Sequence, residues 1–124
     1  MKILLSIKPR FVEKIILGEK TFEYRKVIFK RPDVDTIVVY SSGNVKKIVG
    51  EIKIKRVLCD SPQNIWIKTR SNSGLSEEEF MEYFKNKSKA YAIEIESFNA
   101  FESADTLQNK YPGIKAPQSF VYIK

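Results

Sequence analysis

The sequence contains no histidine, which removes the commonest general base and the commonest metal ligand. It has one cysteine, Cys59, so no internal disulfide can form, and a zinc site is not expected. Any catalysis must run on Lys, Glu, Asp, Tyr, Ser or Thr. No apolar run approaches the length that spans a bilayer. The stretch Met1 to Pro9 has too short an apolar core for a signal peptide and lacks a small-residue cleavage site. Internal repeats, linkers and low-complexity segments are also missing. These absences predict a cytoplasmic protein with no metal, no cofactor and no membrane partner.

What is present is a chain of 124 residues, 43% hydrophobic and 30% charged, the size of one domain spanning residues 1–124 with a single core. Its formal charge of +7 is placed unevenly. Residues 1–62 carry 14 Lys/Arg against 7 Asp/Glu, whereas residues 63–124 carry 8 of each. A basic balance confined to one half fits nucleic acid or another polyanion as partner. A solvated, lysine-rich surface is the bland alternative.

Within the basic half one stretch stands out: Gly18-Glu19-Lys20-Thr21-Phe22-Glu23-Tyr24-Arg25. The apolar residues before it (Phe11, Val12, Ile15, Ile16) have helical spacing and stop at Gly18, a residue able to close a helix in the left-handed conformation. After it the pattern alternates, so Phe22 and Tyr24 share one strand face and Glu23 and Arg25 the other. On periodicity alone, Glu23 and Arg25 read as an exposed ion pair of little energetic weight ahead of part of a polar pocket.

The rest of the chain supplies the frame. Strands are predicted over 2–8, 21–26, 36–42, 46–59, 90–96 and 119–123, with the 36–42 and 46–59 strands as a hairpin and a bend at Gly50. Pro9 opens the helix that runs to about Leu17. Asp60-Ser61-Pro62 opens a second helix carrying Ile65, Trp66 and Thr69. Ser76 with Glu79 three residues on is a capping box for a third, with Phe80, Tyr83 and Phe84 on its apolar face. Residues 103–117 read as turn-rich. The loop around Lys30, Arg31 and Pro32-Asp33 is either a solvated turn or, with Lys26, a phosphate-facing rim. Trp66, Tyr40, Tyr91 and Tyr122 are stacking candidates whose more ordinary place is the core. About six strands with three helices form an α+β fold, and so few strands favour one curved or closed sheet over a sandwich.

Ser6-Ile7-Lys8-Pro9, a helix, and then Gly18 to Lys26 closely resemble the ASCH domain signature, Gly-x-Lys-x-x-Glu-x-Arg. Tyr40-Ser41-Ser42, Lys89 to Ile93 and Pro117 to Phe120 resemble further stretches of that family, so the likeness covers nearly the whole chain. The resemblance implies a PUA-like small β-barrel with flanking helices. It also implies a regulatory module that binds RNA or a nucleotide, as do the related PUA, EVE and YTH domains. Carried over by position, Lys20, Glu23 and Arg25 are its cleft residues, joined by Ser6, Lys8, Ser41 and Ser42. Some ASCH proteins are amidohydrolases on acylated cytidine and others are ribonucleases, so the alternative is a small hydrolase using Lys20. The amidohydrolases pair their lysine with a threonine and a separate glutamate. Glu23 stands at that threonine position here, and the Ser71–Gly74 loop holds no carboxylate. Tyr24 could serve a nuclease beside Lys20, but alternation points it at the core.

Overall fold

The computed structural model describes all residues, Met1–Lys124. Strand β1 (Lys2–Ile7) leads into helix α1 (Pro9–Ile16), then β2 (Phe22–Arg25), β3 (Thr36–Ser41) and β4 (Lys47–Asp60). Helix α2 (Pro62–Thr69), a 3-10 turn (Arg70–Asn72) and α3 (Glu77–Tyr83) follow, then β5 (Ala90–Asp105), the single-turn α4 (Leu107–Lys110) and β6 (Phe120–Ile123). The predicted α+β order therefore holds, with α4 added inside the stretch read as turns.

All six strands form one mixed sheet in the order β2-β5-β4-β3-β1-β6. β1 runs parallel to β3 and the other neighbours are antiparallel, the β3–β4 hairpin included. Strand β5 is far longer than the 90–96 run predicted. Its second half sets Phe98 and Phe101 among polar residues without alternation, and it is held as a strand by pairing with the long β4. That ladder carries several bulges, one of them beside Gly50. A Cβ at Gly50 would lie 2.6 Å from the Asn99 carbonyl oxygen and 2.7 Å from the Phe98 ring. Glycine is needed there for close approach, as well as for the bend.

The core is divided by the sheet. Ile3, Leu5, Ile7, Ile37, Val39, Ile52 and Ile93 pack with Val12 and Ile15 of α1. On the opposite face Leu4, Val38, Tyr40, Ile48 and Ile123 form a smaller cluster. A third cluster sets Phe22, Tyr24, Ala90 and Ala92 against Ile65, Trp66, Phe80 and Phe84 of the α2–α3 segment. Strands β1 and β3 are thus covered on both faces, which is why Ile3, Leu4 and Leu5 are all buried rather than alternating.

The two edge strands lie far apart in the ladder yet meet in space. Arg25, the last residue of β2, donates to the carbonyls of Gln118 (3.5 Å) and Ser119 (3.3 Å), just before β6. The Tyr122 hydroxyl on β6 accepts from the backbone of Lys30 (3.0 Å) and Arg31 (3.3 Å), in the loop after β2. Phe29 and Phe120 pack edge to face, 6.3 Å between centroids. The sheet is curled until its ends touch through these contacts.

Candidate functional site

The cleft is built by the helix end that precedes β2. Gly18 takes φ +77° just past α1. Its N–H donates to the Ile15 carbonyl (3.1 Å), and the Glu19 N–H reaches back to the Lys14 carbonyl (3.0 Å). These two bonds make a Schellman closure, and they turn the chain sharply into Lys20.

Lys20 is then received by the Ser71–Gly74 loop, which holds no carboxylate. Three consecutive carbonyls of that loop accept from α1 or from the signature that follows it. Asn72 accepts from the Thr21 N–H (3.0 Å), Ser73 from Lys20 Nζ (2.8 Å) and Gly74 from Lys14 Nζ (3.0 Å). Gly74, at φ +73°, lies so close that a Cβ there would be 2.8–2.9 Å from Cβ, Cγ and Cδ of Lys20. Backbone atoms of this kind leave no residue-type signature, so only the glycine hinted at the contact.

Lys20 is only 2% exposed. Its ammonium sits over the rings of Tyr24 (4.8 Å) and Phe11 (5.0 Å), and no carboxylate lies within ion-pair distance. Burial lowers its pKa below the ordinary 10.5, against the opposing pull of the Glu23 charge. Glu23 is 6% exposed and has one partner, Arg25, whose NH1 lies 3.4 Å from Oε2. It pairs across the sheet with Ile93, so it faces the same side as the main core cluster. Tyr24 turns the other way. Its hydroxyl lies 2.6 Å from Thr69 Oγ1, and Thr69 itself donates to the Ile65 carbonyl, so Tyr24 is the donor of that pair. Burial pushes the Tyr24 phenol up to about 12.

A cleft of about 400 Å³ opens over these residues. Of the positions expected from the sequence, Ser6, Lys8, Lys20, Glu23 and Arg25 line it together. Ser6 is tied down by donating to the Pro117 carbonyl (2.8 Å). Ser41 and Ser42 do not line the cleft: Ser41 is buried in β3, and Ser42 Oγ donates to the Ile7 carbonyl (3.4 Å). The stacking candidates Trp66, Tyr40, Tyr91 and Tyr122 also lie elsewhere, and the aromatic walls are Phe11, Tyr24 and Tyr83. Tyr83 ends α3 beside Phe84 and also lines the cleft; burial raises its phenol pKa. Arg10 and Glu79 meet at 2.8 Å at the rim, while Glu79 also completes the capping box of α3. The Arg31 guanidinium is turned onto Asp33 in a two-bond fork and stays outside the cleft.

No group of His, Cys, Asp and Glu has the geometry to hold a metal ion, and no helix is long and apolar enough to cross a membrane. The site offers a desolvated amine, a buried carboxylate, a guanidinium and phenol rings, an arrangement that can hold a planar polar ring and an anion side by side.

Residues 3–115 match a family described as a domain of unknown function, DUF365. A curated Zymomonas mobilis protein named ASCH domain-containing ribonuclease is 24% identical over 123 residues, which are 98% of this chain and 83% of that protein. A Ureaplasma parvum protein named ATP synthase subunit alpha is 29% identical over 123 residues; this chain spans only 15% of that relative's length. The crystal structure of ASCH from Zymomonas mobilis superposes with a TM-score of 0.89 at 23% identity, over 99% of this chain and 87% of the other, which shows a common fold. The chain belongs to the DUF365 family and has the fold of an ASCH domain.

Proposed function

We propose that the protein is a ribonuclease acting on single-stranded RNA in the cleft above Lys20. The observation that carries this reading is Lys20 itself: a buried ammonium with no ion-pair partner, its pKa lowered by burial, at the floor of a cleft. A structural lysine has no need of that setting, whereas a lysine that must accept a proton does. The likeness to a protein named as an ASCH ribonuclease points the same way.

RNA carries its own nucleophile. The 2′-oxygen attacks the adjacent phosphorus, the bond from phosphorus to the 5′-oxygen breaks, and a 2′,3′-cyclic phosphate and a 5′-hydroxyl result. Lys20, in its neutral form, takes the 2′ proton. Arg25 faces the charge that builds on the phosphoryl oxygens. Tyr83, kept protonated by burial, gives a proton to the departing 5′-oxygen. Glu23 Oε1, free of any protein partner, accepts from the exocyclic amine of a base. The exposed, unpaired Cys59 suits a reducing, cytoplasmic setting.

The runner-up is an RNA- or nucleotide-binding regulatory module with no turnover. It is favoured by the tie between Lys20 Nζ and the Ser73 carbonyl, which directs one of the ammonium's protons away from a ligand. An amidohydrolase is less well supported, since the loop beside Lys20 presents carbonyls and the threonine position holds Glu23. Incubation with a labelled single-stranded oligoribonucleotide separates these readings. The expected result is cyclic-phosphate product from the wild type, and in Lys20→Ala no product with RNA binding retained to within a few-fold. Salt-dependent binding without product would establish the module instead, and unchanged turnover in Lys20→Ala would remove Lys20 from the chemistry.

A further inference from the structure

A second depression adjoins the cleft. It has a volume of about 280 Å³ and is lined by Arg25, Lys26, Val27, Tyr83, Gln118 and Ser119. Arg25 and Tyr83 line both spaces and so form the wall between them.

The two spaces differ in charge. The first mixes Lys8, Arg10, Lys20 and Arg25 with Glu23, Glu79 and Glu82. The second holds the cations Arg25 and Lys26 and no carboxylate. A ligand spanning both would therefore keep a polar, uncharged ring near Glu23 and its anionic part at and beyond the wall. Arg25 is suited to that wall. All three of its contacts are long, 3.3–3.5 Å, where a charge-assisted bond prefers about 2.7–2.9 Å. Its guanidinium has donors to spare for a stronger acceptor from either side. Lys26 is exposed, and its ammonium rests over the Tyr83 ring at 4.5 Å, a weak hold that an anion can replace.

We propose that the second space is a subsite for the neighbouring nucleotide of a single RNA strand, with the linking phosphodiester at Arg25 and Lys26. The proposal rests on the reading of the first cleft as an RNA site, and it adds the length of strand that the protein grips. A free mononucleotide is then a poor ligand, because it leaves the second space empty.

Fluorescence or calorimetric titration with short oligonucleotides tests this. The probes are a 3′-mononucleotide and a dinucleotide whose 5′ residue is 2′-deoxy, so that it cannot be cleaved. The wild type is expected to bind the dinucleotide at least tenfold more tightly than the mononucleotide. In Lys26→Glu, an exposed position whose variant is checked by its thermal melt, that gain is expected to fall below threefold. A Lys20-dependent affinity that is the same for both probes would overturn the second subsite and leave the first standing. A full gain retained in Lys26→Glu would overturn the role given to Lys26 and to the second space. No binding of either probe would overturn the RNA reading, and this proposal with it.

Discussion

Replacing Lys20 by methionine separates a functional lysine from a structural one, because the two predict opposite changes in stability. Methionine keeps most of the stem that packs on Phe11, Tyr24 and Gly74 and deletes the charge. The loss is one hydrogen bond from a charged donor, net about 1.5–3 kcal/mol, with the Ser73 carbonyl left unpaired. The gain is relief of desolvation, several kcal/mol per buried ion on an order-of-magnitude scale, with no ion pair to offset it. The lowered pKa shows that burial outweighs the neighbouring carboxylate in setting the charge of Lys20, so the gain should win. The expected net change is a stabilisation of roughly 1–2 kcal/mol near neutral pH, a rise in Tm of about 3–8 °C. RNA cleavage should vanish in the same variant. A pH series adds a second check. The unfolded chain holds the Lys20 proton up to the ordinary 10.5, whereas the folded chain releases it at lower pH. Between those values the unfolded state binds more protons, so wild-type stability gains from Lys20 as pH rises through that window. Lys20→Met lacks the gain, and its advantage over wild type should shrink there. Urea unfolding at several pH values measures both. A destabilisation beyond about 2 kcal/mol would show that the tie to Ser73 outweighs desolvation and that Lys20 is an anchor.

Two further outcomes follow from the same geometry. Gly74→Ala forces a side chain into the left-handed region and onto the Lys20 stem; it should cost about 1–3 kcal/mol in urea unfolding and lower cleavage more than RNA affinity, and equal losses in both would contradict a selective displacement of Lys20. With Lys20 as the proton acceptor, kcat/KM for cleavage should climb about tenfold per pH unit and level off below 10.5, while a flat profile up to pH 10 would exclude a titrating lysine.

How much of this was legible in the sequence depends on which atoms carry each feature. Gly18, the alternation from Phe22 to Arg25 and the Ser76–Glu79 capping box are side-chain signals, and the structure realises each of them. The second half of β5 was not readable, because in residues 97–105 Phe98 and Phe101 stand three apart among polar residues, without alternation, and the strand is held by pairing with β4. Nor was the grip on Lys20, made by carbonyls of Asn72, Ser73 and Gly74 whose positions do not depend on side-chain type. Ser41 and Ser42 look like site residues because the Tyr40-Ser41-Ser42 stretch resembles part of the ASCH family. Ser41 is instead buried at the end of β3, and the Ser42 hydroxyl donates to the Ile7 carbonyl. Tyr83 was hidden by its neighbours: at helical spacing beside Phe80 and Phe84 an aromatic residue reads as core.

Arg25 ties the fold to the site. It is the side chain through which the end of β2 reaches the segment before β6, so it holds together the two edges of the curled sheet. It is also the partner of Glu23 and the wall between the two clefts. Its three contacts are individually weak by length, which a guanidinium serving only to fasten the sheet would have no reason to keep. Tyr122 and the Phe29–Phe120 pair fasten the same seam without it. The seam therefore stays closed whether or not Arg25 turns toward an anion, and a ligand can recruit this arginine without opening the sheet.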